Sequence, residues 1–180
     1  MKKILLLAIL LTMHNFIFSQ CNGRYTEEIF DSVTIIPNVD YSDLYDGNSY
    51  LMDVYMPYGD TEINRPLILY MHGGSFYSGD KTTQDCVSFC KSMAKRGYVT
   101  ASLNYRLATN LMGFLLSNKT QYETVLKAVS DAKAAVRYFR KNFTTENSYG
   151  IDPNTIFSGG YSAGAVIAIH QAYIDNTIDL

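Results

Sequence analysis

Within this 180-residue chain, the residues best placed to do chemistry are Gly160-Tyr161-Ser162-Ala163-Gly164, a G-x-S-x-G pattern. An apolar run, Thr155 to Gly159, precedes it, and a helix-like run, Ala163 to Tyr173, follows. A strand, a sharp turn and a helix hold a serine hydroxyl exposed at the strand's end, where it can act as a nucleophile. Glycines at 160 and 164 leave room, because a Cβ at either would strike the neighbouring strand or helix. The N–H of Ala163 lies at a helix N-terminus, facing any negative oxygen that forms beside Ser162. The chemistry this points to is acyl transfer. A bland strand–loop–helix turn with a chance serine would read the same way, so the pentapeptide needs a second signal.

That signal is His72-Gly73-Gly74-Ser75-Phe76, directly after a buried-strand run, Ile68-Leu69-Tyr70-Met71. Its backbone N–H groups can supply the remaining donors to an oxyanion. An ordinary glycine turn is the plainer reading. Against it stands the order of the two motifs, each immediately after a strand. With them stand Asn104-Tyr105-Arg106-Leu107 and Gly150-Ile151-Asp152-Pro153. On these four stretches the chain, from about Tyr50 to its C-terminus, resembles the N-terminal part of the α/β-hydrolase serine esterases of the carboxylesterase and hormone-sensitive-lipase-like group. The resemblance implies an α/β fold, a mostly parallel sheet with flanking helices, here without its C-terminal strands. It implies hydrolysis of a small-molecule ester by a Ser-His-Asp/Glu triad, with no metal or other cofactor. Ser162 would be the nucleophile, and the N–H groups of Gly73, Gly74 and Ala163 the oxyanion hole. His72 would shape its loop by hydrogen bonding and not act as the base.

The base is the gap. The family order is serine, then acid, then histidine, and only eighteen residues follow Ser162. They hold one histidine, His170, and two acids, Asp175 and Asp179. His170 is eight helical positions on, roughly 12 Å along the axis at about 1.5 Å per residue, and points away from the hydroxyl. The expectation is therefore part of a longer esterase, inactive as these residues alone, with its elbow strand an unpaired apolar edge. Two other readings stay open. One is an α/β-hydrolase relative that only binds. The other is a peptidase or a carbohydrate-ester deacetylase on the same fold.

Length suits one domain with a sizeable core. A formal charge of −2 gives no sign of a nucleic-acid or anionic-membrane partner. Lys2-Lys3 and the apolar run Ile4 to Leu11 read as a secretory signal peptide over residues 1–20, leaving one domain over 21–180. Cleavage after Gln20 would remove two of fifteen basic residues and none of seventeen acids, moving the charge to −4. Export to the periplasm or exterior follows, with no stable membrane span after processing and no reading of oligomeric state. Cys21 opens a lipoprotein alternative, although Ser19 and Gln20 fit a lipobox poorly. Cys86 and Cys90, four apart on a predicted helix, have Cβ atoms roughly 6 Å apart, too far for the ~3.8 Å of a disulfide. They read as two small buried thiols, with Cys21 left as a partner for either.

The remaining elements position the two motifs. Ile29 to Val39, with Pro37, reads as an edge strand or a hairpin arm. Tyr50 to Met56 alternates as a half-exposed strand, and Pro66 to Met71 delivers the glycine loop. Phe76 and Tyr77 would either touch substrate or pack. Thr83 to Arg96 reads as a helix capped at Gly97, and Val99 to Leu103 as a buried strand. Ala108 to Asn118 is apolar and would either cover the site or tuck against the core. Thr120-Gln121-Tyr122-Glu123 predicts a capping box. It would open a helix with Tyr122, Val125, Leu126, Val129, Ala132, Val136, Phe139 and Phe143 inward. Lys127, Asp131, Lys133, Arg137 and Arg140 would form its solvated face. Asp152 would cap a turn.

Overall fold

Val99 to Leu103 is β4, and all five residues are buried, which places it in the middle of the sheet. A computed structural model describes residues 22–174. The predicted signal segment, Cys21, Asp175 and Asp179 lie outside the described residues. The sheet has five strands in the order β1-β2-β4-β3-β5, with β1 Val33–Asp40, β2 Leu51–Pro57, β3 Arg65–Met71 and β5 Ile151–Gly160. β3 pairs in parallel with β4 and with β5, while β2 joins β4 and β1 antiparallel. The described sheet is thus mixed, with its parallel part under the two motifs.

Helices cover both faces, which is why β3 and β4 are near-continuous apolar runs. On one face α1 (Gln84–Lys95) sets Cys90 and Ala94 against Tyr55 and Tyr70. On the other, α3 (Asn118–Thr145) and α4 (Ala163–Tyr173) pack Ala132, Phe139 and Ile167 against Leu67, Leu69, Met71 and Leu103. Each such fully buried Leu or Ile contributes about 1.5–3 kcal/mol. No helix among the described residues is long and apolar enough to cross a membrane.

β1 is an edge strand, as expected from Pro37. Its register shifts between Ile36 and Val39, and there Asn38 takes φ +56° and gives its N–H to Asp53 Oδ1 at 2.8 Å. β2 differs from its half-exposed reading, since five of its seven residues are buried. Its polar positions are absorbed by partners, chiefly Asp53 by Lys81 at 2.5 Å. The apolar stretch after β4 forms a short helix, α2 (Leu111–Leu116), on which Met112, Leu115 and Leu116 stay exposed. The predicted capping box is not the start of α3. Ser117 is the N-cap, accepting from Thr120 N–H, and Thr120 lies inside the helix. Ser117 satisfies one of the orphan N–H groups first, so the helix begins a turn earlier. Tyr122, placed inward by the periodicity, is 49% exposed. Cys86 and Cys90 are free and fully buried, and burial pushes Cys90 up to about 12. They do not pair with each other, as their spacing predicts.

Candidate functional site

The turn between β5 and α4 places Ser162 at φ 53°, ψ −113°, the left-handed side of the map that non-glycine residues rarely occupy. Its side chain is exposed and makes no cap hydrogen bond to its own helix. Ser75 (φ 54°) and Phe76 (φ 60°) in the glycine loop are strained in the same sense. Three of the seven non-glycine residues with positive φ among those described therefore lie in the two motif turns. Strain so concentrated is a mark of a functional turn, at a cost of about 1–3 kcal/mol per residue.

Close approach explains the elbow glycines. A Cβ on Gly160 would lie 2.5 Å from the carbonyl carbon of Gly164 and 2.6 Å from Met71 O, and one on Gly164 would collide with Met71 O. The start of α4 is thereby seated against the end of β3, where the glycine loop begins. Gly73 meets Ser162 there. Its missing Cβ would be 3.5 Å from Ser162 Cβ and 3.1 Å from Tyr161 O. Gly74 takes φ +121°, and a Cβ there would run into Ser78 O. The N–H groups of Gly73, Gly74 and Ala163 donate to no partner among the described residues. They are free for a ligand oxygen. Ala163 is the first residue of α4, so its N–H also carries the positive end of the helix dipole.

The loop is held by residues that the periodicity of the sequence did not single out. His72 is 1% exposed, stacks on Tyr105 at 4.3 Å, and its carbonyl accepts from the Tyr105 hydroxyl at 2.7 Å. His72 Nδ1 lies 2.6 Å from Gly73 O. Burial lowers its pKa below the ordinary imidazole range, which keeps it neutral. Ala108 N–H donates to Phe76 O at 2.7 Å. Further on, Lys81 ties the loop down three times: its ammonium to Asp53, its N–H to Asn104 Oδ1 at 2.6 Å, and its carbonyl to Ser102 Oγ at 2.7 Å. Phe76 is a packing residue, 8% exposed, whereas Tyr77 is 46% exposed.

Asp131 corrects the reading of α3 as a merely solvated charged face. It is 3% exposed and takes Arg106 in a bidentate pair, Nη2 to Oδ1 at 2.6 Å and Nε to Oδ2 at 3.0 Å, with Arg106 N–H adding a third bond at 2.9 Å. Asp131 raises the Arg106 guanidinium still further. Tyr105, Arg106 and Ala108 thus pin one segment to α3 at one side and to the glycine loop at the other. No local pattern in the sequence marks it: on α3 Asp131 stands among Lys127, Lys133, Arg137 and Arg140, and its partner Arg106 lies 25 residues away.

The other candidates fall apart from the site. His170 Nδ1 lies 2.8 Å from Val166 O on its own helix. Asp152 accepts from Asn154 N–H at 3.0 Å and Thr155 Oγ1 at 2.6 Å, the turn-capping role expected of it. Neither described histidine is thus turned to the Ser162 hydroxyl.

The model of the BD-FAE family matches residues 52–180. The chain belongs to the BD-FAE family. This α/β-hydrolase is 31% identical over 100 residues to Gut esterase 1 of Caenorhabditis elegans, covering 56% of this chain and 17% of that protein. It is 31% identical over 115 residues to the para-nitrobenzyl esterase of Bacillus subtilis, covering 61% and 22%. In fold it is similar to Esterase B of Lactobacillus rhamnosis, solved with a tributyrin phosphonate inhibitor, at a TM-score of 0.61 and 19% identity over 96% of this chain and 50% of that one. The chain therefore spans about a fifth of the length of those curated relatives and half of that solved esterase.

Proposed function

We propose that this chain carries the nucleophile half of an exported carboxylic-ester hydrolase. Ser162 attacks the carbonyl of a small-molecule ester and forms an acyl-enzyme. The N–H groups of Gly73, Gly74 and Ala163 take the negative oxygen. Each such donor is worth about 100- to 1000-fold in rate. Residues 1–20 act as the signal peptide, and acylation of Cys21 is a minor route to the same compartment. The observation that carries the reading is Ser162 at φ 53° beside three unengaged N–H groups, with Gly73 packed on it. Esterase names among the relatives point the same way.

Water attack and proton transfer need a base, and both described histidines are turned to backbone carbonyls. We therefore expect the 180-residue chain by itself to turn over no ester. The test is p-nitrophenyl acetate hydrolysis by this chain and by the protein expressed from its complete reading frame, each with Ser162→Ala. Turnover by the complete protein that vanishes in Ser162→Ala supports the reading. Undiminished turnover in that variant sinks it.

A further inference from the structure

We infer that the cleft between α3 and the 41–50 loop is a second ligand site, one that takes an elongated planar organic dianion. The cleft holds about 820 Å³, within the range of small-molecule sites. One wall is aromatic: Tyr45 and Tyr50 stack at 5.5 Å and 21°, with the Arg106 guanidinium 5.7 and 5.8 Å from their centres. The facing wall is one stripe of α3, Lys127, Ser130, Ala134, Arg137 and Lys141, spaced so that they share a helix face.

Charge decides what fits. Two acids line the cleft, and both are taken: Asp131 by Arg106, and Asp43 by Lys141 at 3.1 Å. Lys127 and Arg137 also line it, and neither has a salt bridge or side-chain hydrogen bond among the described residues. Ten helical positions separate them, about 15 Å along the axis, so they bracket the cleft. A neutral guest leaves both cations unpaired, and a monoanion engages one. A ligand with an acidic group at each end and a flat body between them meets both cations and lies on the tyrosine faces. Arg137 is suited to a bidentate carboxylate contact. Ser162 and the glycine loop do not line this cleft, so the inference stands or falls apart from the acyl-transfer reading.

Isothermal titration of the full chain with naphthalene-2,6-dicarboxylate tests it, beside the corresponding monoacid and the neutral bis-hydroxymethyl compound. The diacid should bind, the monoacid at least about tenfold more weakly, and the neutral compound without measurable heat. Lys127→Gln and Arg137→Gln should each weaken the diacid about tenfold or more, while Lys119→Gln, exposed at the start of α3, leaves it unchanged. Affinity should fall as salt rises from about 50 to about 500 mM. Both α3 positions are exposed, so the variants should keep the parent's melting temperature. No heat with the diacid, equal binding of the neutral compound, or parental affinity in both glutamine variants would overturn the inference.

Discussion

The two halves of the candidate site are built in opposite ways. The glycine loop, residues 72–83, is tied down: Tyr105, Ala108, Asp53, Ser102 and Asn104 hold it at successive points, several through buried groups. The elbow half lies on the outermost strand of the described sheet. Phe157 on β5 is 53% exposed, and Ile169 and Tyr173 on α4 are 59% and 78% exposed. Gly73 and Gly74, two of the three proposed oxyanion donors, therefore sit in a loop held by a polar lattice. Ser162 is held by backbone packing, two glycines against Met71 and His72, and by backbone hydrogen bonds such as Tyr161 N–H to Met71 O at 3.3 Å. Substitutions should act through hydrogen bonding and charge in the first half and through steric fit in the second.

The largest expected effect is on the elbow. Ser162→Ala in the complete protein should lower kcat by about 10⁴-fold or more, with folding unchanged, as read by ester turnover and circular dichroism. Gly164→Val should also abolish turnover, but by unseating α4 from Met71, so its melting temperature should fall with it. A Val variant that melts like the parent would break the steric account.

Next comes the charge lattice. Asp131→Ala leaves Arg106 without its carboxylate and should destabilise the fold by about 2–3 kcal/mol in urea unfolding. That lies below the usual 3–5 kcal/mol for a fully buried pair, because 28% of the Arg106 side chain stays in water. A loss under about 0.5 kcal/mol would mean that the Arg106 segment is held by other contacts.

A smaller, pH-dependent effect belongs to His72. Burial lowers its folded pKa below 6.5. The unfolded chain therefore takes up the proton first as pH falls. The stabilising contribution is complete above 6.5 and is lost progressively as pH drops below it. The carboxylates with lowered pKa values, Glu28, Asp60, Asp80 and Asp152, titrate in a more acidic window. Urea unfolding at about pH 7.5 and 5.5 should show the loss, and His72→Gln should reduce it. An equal slope in the variant would assign the effect elsewhere. The smallest expected change is Phe157→Ser on the exposed edge, within about 0.5 kcal/mol by the same measurement. A larger loss would show that this edge is covered in solution.

This contrast also explains what the sequence could reveal. The elbow and the glycine loop were legible because their determinants are contiguous: a glycine two positions either side of a serine, and an apolar run before each turn. β3, β4 and α1 were legible from periodicity. Asp131 and Lys81 were not, because their partners are 25 and 28 residues away and no local pattern names them. On a helical wheel Asp131 belongs with lysines and arginines, and only Arg106 makes it a buried residue. The start of α3 is not legible because Ser117 and Thr120 are both good caps, and only the fold shows Ser117 accepting from Thr120 N–H. β2 looked half-exposed because Asp53 reads as polar until Lys81 neutralises it.

The function proposed for this chain rests on Ser162 acting as the nucleophile beside the N–H groups of Gly73, Gly74 and Ala163. The most direct measurement is the mass of the complete protein after reaction with a p-nitrophenyl phosphonate ester, followed by peptide mapping. The account predicts one adduct, on Ser162, absent in Ser162→Ala. An adduct on another residue, or none on a protein that hydrolyses esters, would contradict it.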